Sequence, residues 1–322
     1  MFAVKRLGII LVVLLALVGS LFLGAEPLQI NEIFIPGTVS YRIFWELRFP
    51  RFLVALVTGG TLALLGGSYQ AVFLNPLVEP YILGVSNAVV LGVAIGELFF
   101  GVAMDSYGAS ITGFGLAAVV ILSIWFLYQR TGGYGLHRVV LFGMGFQFLL
   151  SSLLFFAISY HSQVVGGGNT LRWLFGQIPW ISLDRALLLV AICLPFIAAA
   201  LWFARSLDAL SLGDPVCFTM GIDPKKTRAL WLLLSSLLVA IIVRFTGAIG
   251  FVGLVVPHVT QIIFKPSNHR SLLAISFLLG SLFIVFADVV SRVLIPPYEF
   301  PIGILTALIG GPVFLLVLWR KQ

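Results

Sequence analysis

Apolar runs of membrane-spanning length follow one another along this chain with only short polar breaks between them, and that pattern limits the fold before any motif is read. A bilayer core takes about 20 apolar residues per helix. The runs lie near residues 7–24, 51–73, 82–103, 111–129, 137–160, 184–204, 228–246, 254–264, 272–294 and 302–319, which predicts about nine or ten crossings. Only 10% of the residues are charged, against about 25% in soluble domains. The expected class is therefore all-α: a polytopic integral membrane protein whose residues 1–322 form a single transmembrane domain. The run at 254–264 is too short to cross alone and is expected to sit half-buried against its neighbours.

The formal charge of +7 does not mark a nucleic-acid binder, because the basic residues fall at helix ends and form no continuous face. With the N-terminus placed inside, Lys5, Lys225, Lys226, Lys265 and Lys321 all fall on the inner side. The outer segments then hold only the arginines Arg42, Arg48, Arg51, Arg172, Arg185, Arg244 and Arg292. The positive-inside rule thus predicts a multi-pass protein of a cytoplasmic membrane with both termini in the cytoplasm. Leu7–Leu23 follows Lys5 and Arg6 as a signal peptide would, but its length and the lack of an A-x-A site favour a first span. Cys193 and Cys217 lack CxxC spacing and suggest neither a disulfide frame nor a metal site.

The longest mixed-charge interval is Arg205 to Arg228, RSLDALSLGDPVCFTMGIDPKKTR. Gly-Asp-Pro at 213–215 and Asp-Pro at 223–224 break it into short helical pieces. Leu207, Leu210, Leu212, Phe218 and Met220 alternate with the charges. A solvated linker rarely carries Phe and Met at helical spacing, so this loop reads as a docking surface for a cytoplasmic partner.

Three other stretches place Gly, Pro and polar residues where a plain anchor would carry Leu. In residues 46–60 and 68–88, Arg48 and Arg51 stand at the outer mouth of the second span, while Asn75-Pro76-Leu77 and Glu79-Pro80 force an irregular inner turn. Gly59, Ala63, Gly67 and Ala71 recur every fourth residue and form a smooth packing stripe. Residues 247–261 are a glycine-rich re-entry bent at Pro257. In residues 288–315, Asp288 and Arg292 are four apart on one helical face and are read as a structural ion pair.

Together these stretches resemble the FecCD family, the permease subunits of type II ATP-binding-cassette (ABC) importers for iron siderophores, haem and vitamin B12. The matching patterns here are R-F-P-R, N-P-L-V-E-P-x-x-L-G-V-S-N, W-L-F-G, L-G-D…M-G-I-D, G-x-I-x-F-V-G-L-x-x-P-H, D-x-x-x-R and P-x-E-F-P-I-G-I-x-T-A-L-I-G-G-P-x-F, in the family's order from about residue 46 onward. The resemblance implies the type II importer permease fold of ten helices, a homodimer with the pathway on its two-fold axis, two cytoplasmic ABC ATPase subunits and a substrate-binding protein, periplasmic or lipid-anchored. It also implies alternating access driven by the ATPases, which would hold the ATP and Mg; no cofactor is expected on this chain, which lacks a G-x-x-x-x-G-K-[ST] loop.

Carried over residue by residue, the resemblance makes Leu212, Gly213, Asp214, Phe218, Met220, Gly221 and Ile222 the ATPase-coupling segment. Arg48, Arg51 and Arg292 become cations that meet acidic residues of the binding protein, with snorkelling or pairing at a helix end as the other reading. Asn75, Pro76, Leu77, Leu136 and His137 correspond to the cytoplasmic gate, although His137 also reads as a solvated loop histidine. Phe142, Phe146 and Leu149 are candidates to line the pathway or to pack in the core. Gln261, Asn87 and Asp-Pro-Val-Cys at 214–217 depart from the family's usual residues.

A permease for molybdate or another oxyanion is the alternative, and it would need cationic or hydroxyl-rich walls. His161, His258 and Asp288 are the candidates for an intramembrane enzyme, but they form no H-E-x-x-H or paired-carboxylate arrangement, so no catalytic or metal-ligating residue is expected. A passive channel would not need so large a coupling loop.

Overall fold

The structure is a computed structural model that describes residues 2–24, 26–103, 106–131, 135–164, 175–295 and 298–319. Arg172, Trp173 and Leu174 of the W-L-F-G motif, Arg320 and Lys321 lie outside the described residues, as do the side chains of Lys5, Arg6 and His161. Among the described residues the fold is all-α, with one isolated bridge between Ile295 and Tyr298. Each of the ten apolar runs coincides with a helix. Six helices are long and apolar enough to cross a membrane by themselves, and four apolar helices are shorter.

In chain order the helices are α1 (Phe2–Ser20), α2 (Val39–Arg42), α3 (Phe49–Phe73), α4 (Val85–Phe100), α5 (Tyr107–Arg130), α6 (Leu136–Val164) and α7 (Leu183–Trp202). They continue as α8 (Ala204–Ser211), α9 (Asp214–Thr219), α10 (Pro224–Thr246), α11 (Val252–Phe264), α12 (His269–Val293) and α13 (Ile302–Trp319). The second span is longer than its apolar run because α2 passes through a π-helical segment, Ile43–Arg48, directly into α3. Pro50 stands directly after the π-helical segment, at the second residue of α3, so its missing N–H removes one helical hydrogen bond at that junction.

α3 is the axis of the bundle, with almost every residue from Val54 to Phe73 buried. Its small-residue stripe faces α12: a Cβ on Gly59 would collide with the Gly280 carbonyl oxygen and with Ile284. On another face, a Cβ on Gly66 would collide with the backbone of Gly253 in α11. Backbone therefore lies on backbone at two crossings, as small residues permit in membranes.

α3 ends at Leu74, which adopts a left-handed conformation at φ 52°. The following turn is held by the Leu77 N–H, which donates to Asn75 Oδ1 at 2.9 Å. The chain then folds back, and a Cβ on Gly253 would touch both Pro80 and the Leu62–Gly66 stretch of α3. Glu79 and Pro80 thus return to mid-height of α3, enclosed by protein as irregular backbone at that depth must be.

α11 is among the shorter apolar helices, and its burial is uneven. Val252 to His258 are all buried, and exposure begins at Gln261, so the short helix is enclosed at its N-terminal half rather than half-buried along its length. Its entry is set by Phe251 at φ 68°.

Candidate functional site: an exposed apolar ridge, a polar-walled cavity and a buried ion-pair network

The mixed-charge loop folds as α8 and α9. Leu207, Ala209 and Leu210 of α8 are buried, which anchors the loop to the bundle. Gly213 precedes α9 at φ 99° and Gly221 follows it at φ 72°, conformations that favour glycine. Leu212, just before Gly213, is 67% exposed, and Phe218 and Met220, between the two glycines, are each 57% exposed; together they form an apolar ridge. Ile222 and Asp214 are half-buried beside it.

The ridge stands on polar supports. Arg228 donates to Asp214 Oδ1 at 2.6 Å and to the Val72 carbonyl at 3.3 Å. Its side chain is only 2% exposed, so Arg228 is a buried brace rather than one of the loop's surface charges. Asp208 accepts from the His269 backbone N–H at 2.8 Å, and the His269 ring lies 2.7 Å from the same oxygen. Cys217 is buried under α9, and burial, with Asp214 as a second cause, pushes its thiol pKa up.

Of the expected gate residues, Asn75 is half-buried and bonds within its own turn, while Pro76 and Leu77 are exposed. Leu136 and His137 open α6, where His137 is exposed to its surroundings.

A cavity of about 530 Å³ lies between α4, α6, the segment before α11 and the start of α13. Its polar wall is Glu79, Asn87, Gln147 and Ser151, with aromatic faces from Tyr81 and Phe251. Asn87 Nδ2 donates to Ser151 Oγ at 2.6 Å and to the Gln147 carbonyl at 3.4 Å, which ties α4 to α6 and orients both side chains. Among the described residues that line it, Glu79 is the sole charged one. Phe142, Phe146 and Leu149 are not part of this wall: Phe142 and Phe146 pack edge to face at 5.0 Å, with Phe146 against the Gly84 turn, and Leu149 is 56% exposed. The residues of α6 that contribute polar groups to this cavity are Gln147 and Ser151, four apart on one face.

Arg48, Arg51 and Arg292 all have partners within the chain. Arg51 is buried; its Nε donates to Asp288 Oδ1 at 2.7 Å and its Nη1 to Glu299 at 2.9 and 3.1 Å. Its guanidinium also lies 5.3 Å from the Trp180 ring centre. Arg292 reaches the other oxygen of Asp288 at 3.1 Å, so the i, i+4 pair forms and belongs to a larger network. Arg48 is buried as well and donates to the carbonyls of Leu21 and Phe22, at 3.3 and 2.9 Å, and of Glu26. The acids that Arg51 meets are thus in its own chain, because desolvated guanidinium needs partners wherever it is buried. Glu299, the acid of the P-Y-E-F-P segment, is a member that reading the sequence missed.

Comparison with known proteins gives a consistent result. The chain is 33% identical over 329 residues to the Fe(3+) dicitrate transport system permease protein FecD of Escherichia coli, covering 98% of this chain and 100% of that one. It is 33% identical over 305 residues to the cobalamin import system permease protein BtuC of Halobacterium salinarum, covering 92% and 78% respectively. A solved inward-facing conformation of a transporter assigned to the metal-chelate ABC type superposes with a TM-score of 0.84 at 29% identity, covering 97% of this chain and 99% of that one. The model of the FecCD transport family matches residues 10–320, and the chain is a member of that family of membrane permeases.

Proposed function

We propose that this chain is the membrane-spanning subunit of an ABC importer and that its cargo is a large metal chelate, of the iron-chelate, haem or cobalamin kind. The observation that carries this reading is the pairing of a central cavity with an apolar ridge held out on two positive-φ glycines. Leu212 to Ile222 seats in an ATPase that binds ATP and Mg on a separate polypeptide. Two such ATPases serve a homodimer, and both termini lie in the cytoplasm. A binding protein delivers the chelate at the outer face, where Arg292, the least enclosed of the three arginines, is the first contact. ATP-driven movement of the ridge tilts the bundle, and the turn at Asn75 to Leu77 with Leu136 and His137 opens in alternation with the outer mouth. Only differential contact of the ridge with two ATPase states can drive that shift.

The cavity lining favours a chelate over an oxyanion. Its polar groups are the amides of Asn87 and Gln147, the hydroxyls of Ser151 and Tyr81 and the carboxyl of Glu79, with no Lys, Arg or His among the described lining residues, so a small anion would meet no counter-charge there. FecD and BtuC are equally identical to this chain although one is named for ferric dicitrate and the other for cobalamin, so identity does not choose between cargoes.

The test is uptake of labelled cobalamin, ferric chelates and haem in native cells with and without this chain, each repeated with ATP depleted. Loss of ATP-dependent uptake of one ligand names the cargo. If every uptake persists without the chain, the chelate reading fails and oxyanion uptake is measured next.

A further inference from the structure

A second and larger cleft, about 740 Å³, opens between the C-terminal end of α7, α8 and the first half of α10, and shares no residue with the central cavity. Its walls are apolar, built chiefly from Phe196, Leu201, Leu230, Leu234 and Leu238. Its rim is charged: Arg205, Lys226 and Arg270 stand there with a single acid, Asp223. Lys226 lies 3.6 Å from Asp223 and is 86% exposed. Arg205 and Arg270 are exposed and make no ion pair or side-chain hydrogen bond among the described residues. Two positive charges are therefore in excess at the mouth of a greasy slot.

The depth of the slot fits its rim. From Lys226 to Leu238 along α10 is a rise of about 18 Å, while half of a bilayer core is about 15 Å. The level of the mouth is also marked by aromatic residues: Trp202 is 78% exposed there, and Trp231 Nε1 donates to Ser206 Oγ at 3.2 Å. Exposed Trp belongs to the headgroup layer. A water-soluble anion would use the cations and leave the walls unmatched, and a neutral lipid would do the reverse.

We infer that this cleft holds an anionic glycerophospholipid, with its phosphate among Arg205, Lys226 and Arg270 and one acyl chain along Leu230, Leu234 and Leu238. Basic recesses between membrane helices take such headgroups. Gly221 and Ile222 line the same cleft, so the bound lipid also touches the end of the apolar ridge. The site is independent of which cargo the chain carries.

Native mass spectrometry of the full chain, released from micelles doped equally with phosphatidylglycerol and phosphatidylcholine, tests this. Phosphatidylglycerol is expected to be retained several-fold over phosphatidylcholine, and Arg205→Gln/Lys226→Gln/Arg270→Gln to remove that preference. Leu234→Trp, which narrows the slot with all charges in place, should lower retention of both lipids. If the triple variant elutes as an aggregate on size exclusion, the three single variants are used, each expected to lose part of the preference. Equal retention of the two lipids by the unsubstituted chain overturns the proposal, as does a preference that survives removal of the charges. Glycerol phosphate competing as well as intact lipid also overturns it, since the walls would then contribute nothing.

Discussion

The two ends of this molecule treat their charges and apolar residues in opposite ways. Around Arg51 four charged side chains, Arg51, Asp288, Arg292 and Glu299, are turned on one another at 2.7 to 3.1 Å. At the ridge Leu212, Phe218 and Met220 are left exposed, while of the charges beneath them Arg228 is buried and Asp214 half-buried. Exposed charge is thus a poor guide to a docking face in this chain. Arg51 and Arg292 join α3, α12 and the segment before α13, whereas the apolar side chains of the ridge are left exposed.

The strongest break in that comparison is Arg51→Ala. It would leave Asp288 and Glu299 without their shared cation, and loss of one member of a buried pair costs about 3–5 kcal/mol. Thermal unfolding of the purified chain in detergent should show a large fall in midpoint; an unchanged midpoint would mean that the network braces nothing. Replacing Gly213 and Gly221 together by Val should come next, since non-glycine residues at such angles cost about 1–3 kcal/mol each. Uptake is expected to be lost while membrane insertion, followed by fractionation, is retained; full transport by this double variant would remove the coupling role from the loop.

Phe218→Ser with Met220→Ser should separate the two ends further. Both side chains are exposed, so stability is expected to change by about 0.5 kcal/mol or less, while uptake falls because the ridge has lost its apolar tip. The smallest effect is expected at Cys217. Its thiol is buried and its pKa raised, so maleimide should label it slowly at neutral pH in the folded chain and readily after unfolding.

The fold was legible because each helix announces itself locally. A run such as 272–294 needs only its own residues to be read as a span, and α12 occupies it. The i, i+4 pair of Asp288 and Arg292 was legible for the same reason. Arg51 meeting Asp288 was not, because 237 residues separate them and no periodicity links their positions. Glu299 stayed unnoticed beside its prolines for the same cause. The cavity wall was half-hidden: Gln147 and Ser151 were in plain sight on α6, but the sequence reading did not single these two polar residues out from their neighbours. What would have separated them is polarity within an apolar helix, which is expensive unless it faces a cavity or a partner.

The glycine crossings of α3 carry a mechanical consequence. Helices that touch through side chains can slide, because rotamers yield, but a peptide group pressed on a peptide group has no soft layer to shear. Gly59 on Gly280 and Gly66 on Gly253 therefore weld α3, α11 and α12 into one stiff spindle. A push applied at one end of the bundle would turn that spindle as a whole, with little lost motion along its length, and would leave bending to the surrounding helices and their connecting turns.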